Sequence, residues 1–252
     1  MSSCYNPFSL EGKTILITGA SSGIGKATAI ECTRLGASMV ITGRNKEKLE
    51  ATLVSLEGDG HKMICADLTD TEELEALIAE LPALDGAVLS AGVSLTMPVK
   101  FSNSEKFKEI FETNLFSQTE LARLLFKKKK LKDNGSLVFI SSIGGTKSFN
   151  PGNAIYGASK AALNSFMKYC ALEFASRKIR VNSICPGMVR TPLISRGTIS
   201  EEQLEEYAKK YLLKRFGTPQ EVAWGAIYLL SDASSWTTGS CLNIDGGGDS
   251  NN

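Results

Sequence analysis

Short runs of β-branched and aliphatic residues alternate along the chain with longer stretches whose apolar positions recur every three or four residues. The first pattern is that of buried strands and the second that of amphipathic helices. Thr14-Ile15-Leu16-Ile17 predicts a strand, and 24–35 predicts a helix that stops at Gly36. The same alternation predicts strands at 38–42, 62–66, 86–89, 137–140, 180–184 and 241–244. Helices are expected at 46–56, 71–80, 104–130, 155–176, 200–214 and 219–230. Repeated strand–helix–strand units build a parallel sheet, because a parallel connection has to cross over and a helix does so readily. The expected architecture is a single α/β domain over 1–252, a doubly wound parallel sheet of about seven strands flanked by helices. Tails at about 1–8 and 248–252 are expected to fray. Connections are short except at 188–200, and long connections in small domains are often functional lids. The segment after it, from Ser200 to Gly217, is amphipathic with mixed charge and suits a lid helix, an oligomer contact or a plain surface helix.

Composition changes this picture little: 42% apolar and 22% charged residues are ordinary for a soluble globular chain. A net charge of +1 gives no electrostatic reason to expect nucleic acid or an anionic membrane as partner. The run Lys127-Lys128-Lys129-Lys130 reads as the solvated end of a helix before a turn at Asp133-Asn134-Gly135. Six cysteines, at 4, 32, 65, 170, 185 and 241, show no metal-ligand spacing, and several, including Cys65 and Cys185, lie in apolar runs suited to reduced, buried thiols. The single histidine, His61, cannot build a Ser-His-Asp system or a histidine metal cluster, so no metal site is expected. No secretory leader and no span of about 18 apolar residues is evident, which points to a cytoplasmic protein.

Chemistry enters at Tyr156-Gly157-Ala158-Ser159-Lys160. Residues four apart stand one turn above each other on a helix, so an ammonium can sit beside a phenol. A free phenol, with a pKa of about 10, is a poor acid–base catalyst near neutrality, and a nearby positive charge lowers that value. The pair alone is a common surface pattern. Ser142, 14 residues upstream, and the turn Thr18-Gly19-Ala20-Ser21-Ser22-Gly23-Ile24-Gly25 give it weight. Glycines after a first strand permit a tight turn and close backbone approach, and the helix N-terminus that follows favours a pyrophosphate.

Taken together, the chain resembles the short-chain dehydrogenase/reductase family over nearly its whole length. The matching pieces are TGASSGIG at 18–25, ADLT at 66–69, SAG at 90–92, Asn114 in TNLF, ISS at 140–142, YGASK at 156–160, PGMVRT at 186–191 and DGG at 245–247. The resemblance implies one Rossmann-like domain, a homotetramer or homodimer, and NAD(P)-dependent interconversion of a carbonyl and an alcohol. It implies that Tyr156 is general acid in reduction and base in oxidation, that Lys160 lowers its pKa and bonds the nicotinamide ribose, and that Ser142 holds the substrate oxygen. Asn114 would complete a proton relay through water; a helix-interior packing role is the plainer alternative. Cofactor contacts would come from Gly19, Ser21, Ser22, Gly23, Ile24 and Gly25, from Ser90, Ala91 and Gly92, and from Pro186, Gly187, Val189 and Thr191. Asp67 would meet the adenine amino group with Leu68 backing the ring.

Cofactor choice has a physical handle. An NAD-preferring site places a carboxylate after the second strand to accept bonds from the ribose 2′-hydroxyl. Here that place reads Thr42-Gly43-Arg44-Asn45, with a guanidinium and no carboxylate, which suits a 2′-phosphate and hence NADP(H). Three departures from the family pattern stand out. Ser90 replaces the usual asparagine, the stretch between Ser142 and Tyr156 is one residue longer than is common, and the lid matches no particular substrate class. A 3-oxoacyl-acyl-carrier-protein reductase is the nearest pattern, which makes an acyl thioester one expected substrate; sugars and small ketones remain open. Arg177 could dock an acidic carrier, although Asp133 counts against it. Phe149, Asn150, Met188 and Leu193 are candidate pocket residues. A silent, cofactor-sensing scaffold would show loss of Tyr, Lys or Ser, and none is lost.

Overall fold

In the computed structural model, residues 5–194 and 200–248 are described, and they carry seven strands in one sheet. The strands are β1 (Thr14–Thr18), β2 (Ser38–Gly43), β3 (Lys62–Cys65), β4 (Leu84–Leu89), β5 (Leu131–Ile140), β6 (Arg180–Pro186) and β7 (Cys241–Ile244). Their order is β3-β2-β1-β4-β5-β6-β7, all parallel. Helices α1 (Gly23–Thr33), α2 (Lys46–Leu53), α3 (Thr71–Glu80), α4 (Ser104–Phe111), α5 (Ser117–Lys127), α6 (Ala154–Phe174), α7 (Glu201–Ala208) and α8 (Pro219–Leu230) complete the regular elements.

Alternation of side chains along each strand divides the core in two. Ile15, Ile17, Met39, Ile41, Val88 and Val138 pack with α1, α2 and α8 on one face. Leu16, Val40, Leu89, Leu137 and Phe139 pack with α3, α5 and α6 on the other. Burial on both faces explains why these strands read as unbroken apolar runs. The chain leaves β1 toward β2 and β3, then returns to pair β4 on the other side of β1. A crevice opens at that reversal, beyond the carboxyl ends of β1 and β4, and such reversals are where α/β sheets bind ligands.

Five differences from the sequence reading have physical causes. The expected helix over 104–130 is interrupted by a widened, π-type turn at Glu112–Phe116, which separates α4 from α5. β5 begins at Leu131 rather than 137, with the pairing slipping between Leu84↔Leu131 and Gly86↔Ser136, and Asn134 in the left-handed region at φ 63°. The Asp133-Asn134-Gly135 turn signal is therefore an irregularity within the strand. The helix expected over 200–214 ends at Ala208, beyond which Tyr211 and Phe216 turn inward onto α7. Residues 5–8 do not all hang free: the Pro7 carbonyl accepts the Ala233 N–H at 3.0 Å, and the Phe8 ring lies 6.5 Å from that of Tyr228. Cys65 is exposed, because β3 is an edge strand, whereas Cys32, Cys170 and Cys185 are buried and free.

His61 is structural: Nδ1 accepts the Met39 N–H at 3.1 Å, leaving Nε2–H to donate to the Glu57 carbonyl at 3.0 Å. Lys130 donates to the Leu81 carbonyl at 2.6 Å, so the last lysine of the basic run serves the end of α3. Among the described residues no helix is long and apolar enough to cross a membrane, and no cluster of three or more His, Cys, Asp or Glu could hold a metal ion.

One close approach fixes the end of β5 against the start of α6. Gly145, at φ 98°, lies so near Gly157 that a Cβ on it would stand 2.1 Å from the Gly157 carbonyl oxygen. Gly145→Ala combines that clash with positive-φ strain and is expected to cost about 2 kcal/mol or more, a fall of roughly 5 °C in the melting midpoint. Gly58→Ala is the control: φ is 89° but nothing lies within 4 Å of the new Cβ, so its loss in a thermal melt should be smaller.

Candidate active site

The glycine turn sits at the reversal of strand order. A Cβ on Gly19 would stand 2.9 Å from the Ala91 backbone, and one on Gly25 would stand 2.4 Å from the Gly19 carbonyl oxygen. The first glycine lets β1 and β4 end side by side, and the third lets α1 begin directly on the turn. Thr18 completes the junction, its buried Oγ1 accepting the N–H groups of Ser90 at 3.0 Å and Ala91 at 3.1 Å. These bonds come from backbone amides, so Ser90 in place of asparagine leaves them intact. Ser22 stands at the N-terminal boundary of α1 without a side-chain cap, and the first turn carries no acidic residue. The partial positive charge of that helix end is thus uncompensated by the chain itself.

The Tyr156 helix delivers the second half of the site. Lys160 is buried, and its Nζ donates to the Ile140 carbonyl at 2.9 Å and lies 5.9 Å from the centre of the Tyr156 ring. No carboxylate among the described residues pairs with it. Burial pulls the ammonium down to about 8, with Cys185 acting weakly in the opposite sense. Burial pushes the Tyr156 phenol above its ordinary range, while the Ser142 hydroxyl pulls it part of the way back. Both groups are thereby biased toward their neutral forms. Desolvation dominates at Tyr156, and its direction is opposite to the lowering that the Tyr–Lys spacing suggests. A neutral phenol is the form that can donate a proton.

Ser142 Oγ accepts the Gly144 N–H at 3.0 Å, and a Cβ on Gly144 would stand 3.2 Å from Ser142 Oγ and 3.9 Å from the Tyr156 ring. Serine hydroxyl and phenol therefore share one neighbourhood. Ser141, by contrast, points away and donates to the Lys160 carbonyl at 3.1 Å. Asn114, in the π-type turn, is fully buried; its Oδ1 accepts the Val93 N–H at 2.8 Å, and its Nδ2 donates to the Val93 carbonyl at 2.9 Å and to Ser159 Oγ at 3.2 Å. These three bonds are structural, so the packing alternative raised for the amide accounts for them. It does lie beside the lysine, since a Cβ on Gly92 would reach Asn114 Oδ1 at 3.3 Å and Lys160 Nζ at 3.5 Å.

The remaining predicted residues fall around these two halves. Arg44 is largely exposed after β2, with Nη1 3.5 Å from Asp67 Oδ2. Asp67 also accepts from the Thr69 N–H at 3.0 Å and Oγ1 at 2.8 Å; burial alone would raise its carboxyl, but these bonds and Arg44 hold it below the usual range. Ser21 faces Gly43, and Asn45 caps α2 by accepting the Lys48 N–H at 2.8 Å. Leu68 and Val189 have their side chains in the core, which leaves chiefly their backbones for a ligand. Thr191 approaches the glycine turn, its Cγ2 3.3 Å from where a Gly23 Cβ would be. Pro186 ends β6, and the Gly187 N–H is held by the Ile244 carbonyl at 3.0 Å. Of the pocket candidates, Phe149 and Asn150 are exposed, and Met188 joins a satellite cluster with Tyr211. Leu193 is partly buried; the lid expected over 188–200 falls partly at 195–199, outside the described residues. Arg177 is engaged, its Nε 2.7 Å from Asp133 and its Nη2 2.7 Å from the Leu131 carbonyl.

Sequence reasoning assigned no role to Thr18, Ser159 or Gln118, whose Nε2 donates to the Ala91 carbonyl at 3.0 Å. Their signal was present: Gln118 lies one helical turn after Asn114, and Ser159 stands within the Tyr–Lys motif. A dinucleotide suits the assembled residues. The turn has no room for a Cβ at Gly19 or Gly25, the α1 end lacks its own anion, and Thr191 returns over Gly23.

The fold and site together define an α/β oxidoreductase of the dinucleotide-binding class. A family model described as Enoyl-(Acyl carrier protein) reductase matches residues 19–249. The 3-oxoacyl-[acyl-carrier-protein] reductase FabG of Rickettsia bellii is 37% identical over 239 residues, 94% of this chain and 97% of that protein. A dehydrogenase/reductase from Sinorhizobium meliloti superposes with a TM-score of 0.88 at 31% identity, covering 96% of this chain and 97% of the other. A structure from Beutenbergia cavernae, solved with NADP bound at low occupancy, gives 0.87 at 30% identity over 96% and 99% of the two chains. The chain belongs to the short-chain dehydrogenase/reductase family, whose members use a nicotinamide cofactor.

Burial of Lys160 makes stability depend on pH in a definite sense. In the unfolded chain its ammonium persists to its ordinary value near 10.5, whereas in the fold it gives up its proton near 8. The unfolded state then binds more protons between those values, so this residue's contribution to stability rises with pH across that window. Chemical denaturation of the native protein and Lys160→Met should show the difference between them changing in favour of the native protein from pH 8 to pH 10. A pH-independent difference would contradict a desolvated lysine.

Proposed function

We propose that this chain is an NADPH-preferring reductase of a ketone carbonyl, with 3-oxoacyl thioesters as the leading substrate class. The observation that carries the proposal is the convergence of Ser142, Tyr156 and Lys160 beside a glycine turn at the sheet's reversal. Ser142 orients the carbonyl oxygen. Tyr156, held neutral by its surroundings, gives that oxygen its proton. Lys160, fixed by Ile140, would hold the cofactor's ribose and keep a positive charge available to the phenolate left behind. A bound nicotinamide would supply the hydride for the carbonyl carbon. Oxidation of the alcohol runs the same steps backward, with the phenolate as base.

Arg44 supports the choice of NADPH: it is an exposed guanidinium after β2 where an NAD site would carry a carboxylate. The NADP-bound relative from Beutenbergia cavernae is in keeping with this. The FabG relatives support a 3-oxoacyl thioester. The ion pair that occupies Arg177 favours a free thioester or small ketone over one delivered by an acidic carrier. Exposed Phe107, Phe116, Tyr169 and Leu172 on the α4–α6 side, with Trp224 and Trp236 elsewhere, support a homodimer or homotetramer. Free thiols at 32, 65, 170, 185 and 241 are in keeping with a reducing, cytoplasmic setting.

Substrates should be screened by NADPH oxidation with a 3-oxoacyl-coenzyme A, sugars and simple ketones. Tyr156→Phe is expected to retain NADPH binding and to lose at least about a hundredfold in turnover, the usual range for removing a general acid; full turnover would refute the mechanism. Arg44→Asp is expected to reverse the cofactor preference, with kcat/KM for NADPH falling at least about tenfold relative to NADH. Equal or better efficiency of the native protein with NADH would remove the argument from Arg44.

A further inference from the structure

Tyr211 is a buried side chain that none of the steps above uses. Its ring is enclosed by glycines from two chain segments: a Cβ on Gly187 would lie 3.1 Å from it, one on Gly246 3.7 Å and one on Gly248 2.3 Å. Its hydroxyl accepts the Met188 N–H at 2.9 Å. On either side the same stretch is held by backbone bonds, Gly187 N–H to Ile244 at 3.0 Å and Gly217 N–H to the Met188 carbonyl at 3.0 Å. Three residues later Thr191 comes over Gly23, at the mouth of the glycine turn.

We propose that Tyr211 is a positioning residue for the cofactor, its hydroxyl fixing the Met188 peptide and through it the path of residues 187–191 across the glycine turn. The proposal rests on the nicotinamide reading of the site. Three backbone bonds restrain this short path, the third from the Arg190 N–H to the Gly217 carbonyl at 2.9 Å, but among the described residues only the tyrosine bonds the amide between Gly187 and Met188. The ring has little room to follow a displaced peptide, since it stands where a Cβ on Gly187 or Gly248 would not fit. Burial pushes the Tyr211 phenol up to about 12, so it stays neutral and keeps its acceptor lone pairs in one state across the working range of pH. Removing the hydroxyl would leave a partly buried N–H without its partner while the ring still filled its place, so the stretch would lose definition without losing the fold.

Three proteins decide the matter: native, Tyr211→Phe, and Tyr207→Phe as control, whose ring lies 6.3 Å from that of Tyr211 in the same cluster. Amide hydrogen exchange reports the latch without any cofactor, and fluorescence titration with NADPH reports positioning. Tyr211→Phe should speed exchange at Met188 and raise the Kd for NADPH by about tenfold, equivalent to ~1.4 kcal/mol. The apparent KM for NADPH should rise with it, more than kcat falls, while Tyr207→Phe changes neither. Unchanged exchange at Met188 would overturn the latch. Faster exchange with an unchanged Kd in a native protein that binds NADPH would overturn the positioning role alone. A native protein that binds neither NADPH nor NADH would overturn the functional reading, and the positioning role with it.

Discussion

A single buried ammonium constrains much of this molecule. Lys160 reaches the core side of α6 with no carboxylate among the described residues to meet it, and its charge is answered by the Ile140 carbonyl. Burying an unpaired charge is costly, so the lysine moves toward neutrality and its surroundings become tightly specified. The carbonyl it uses belongs to the last residue of β5, which fixes where α6 stands over the sheet. Ser141 adds a bond to the Lys160 carbonyl, and the Gly145–Gly157 approach clamps the following loop to the first turn of the helix. Tyr156 and Ser142 then come together without either needing to be steered separately.

A second set of contacts brings the glycine turn to that pair. Thr18 ties the end of β1 to Ser90 and Ala91 after β4, and Gln118 and Asn114 hold the chain that continues from there. Asn114 lies in the π-type turn and Gln118 one helical turn further on, so both buried amides address the 91–93 backbone. The glycine-turn half and the tyrosine half of the site are therefore joined by buried hydrogen bonds to backbone atoms, which side-chain substitutions on the surface do not touch.

Most of this was legible in the amino-acid sequence where the signal was local. Every strand, the open sheet and the Tyr156–Lys160 spacing follow from periodicity, and the ordered motifs carry the family. What was not legible depended on long-range packing. Asn134 looks like a turn, yet neighbouring β4 draws it into a strand with an irregular register. The helical period over 104–130 carries no mark of the π-type turn, whose Asn114 is bonded to Val93, a residue distant in the chain. For Tyr156 a neighbouring charge was visible in the spacing, whereas its desolvation was not. Tyr211 was one apolar position among many until the glycines enclosing it came from distant segments.

Proton delivery by a neutral, buried Tyr156 is the central claim, and the pH profile of kcat/KM for carbonyl reduction with NADPH bears on it most directly. The rate should hold level through neutrality and fall on the alkaline side as the essential proton is lost. A rate of reduction that climbs with increasing pH would contradict a phenol as the acid.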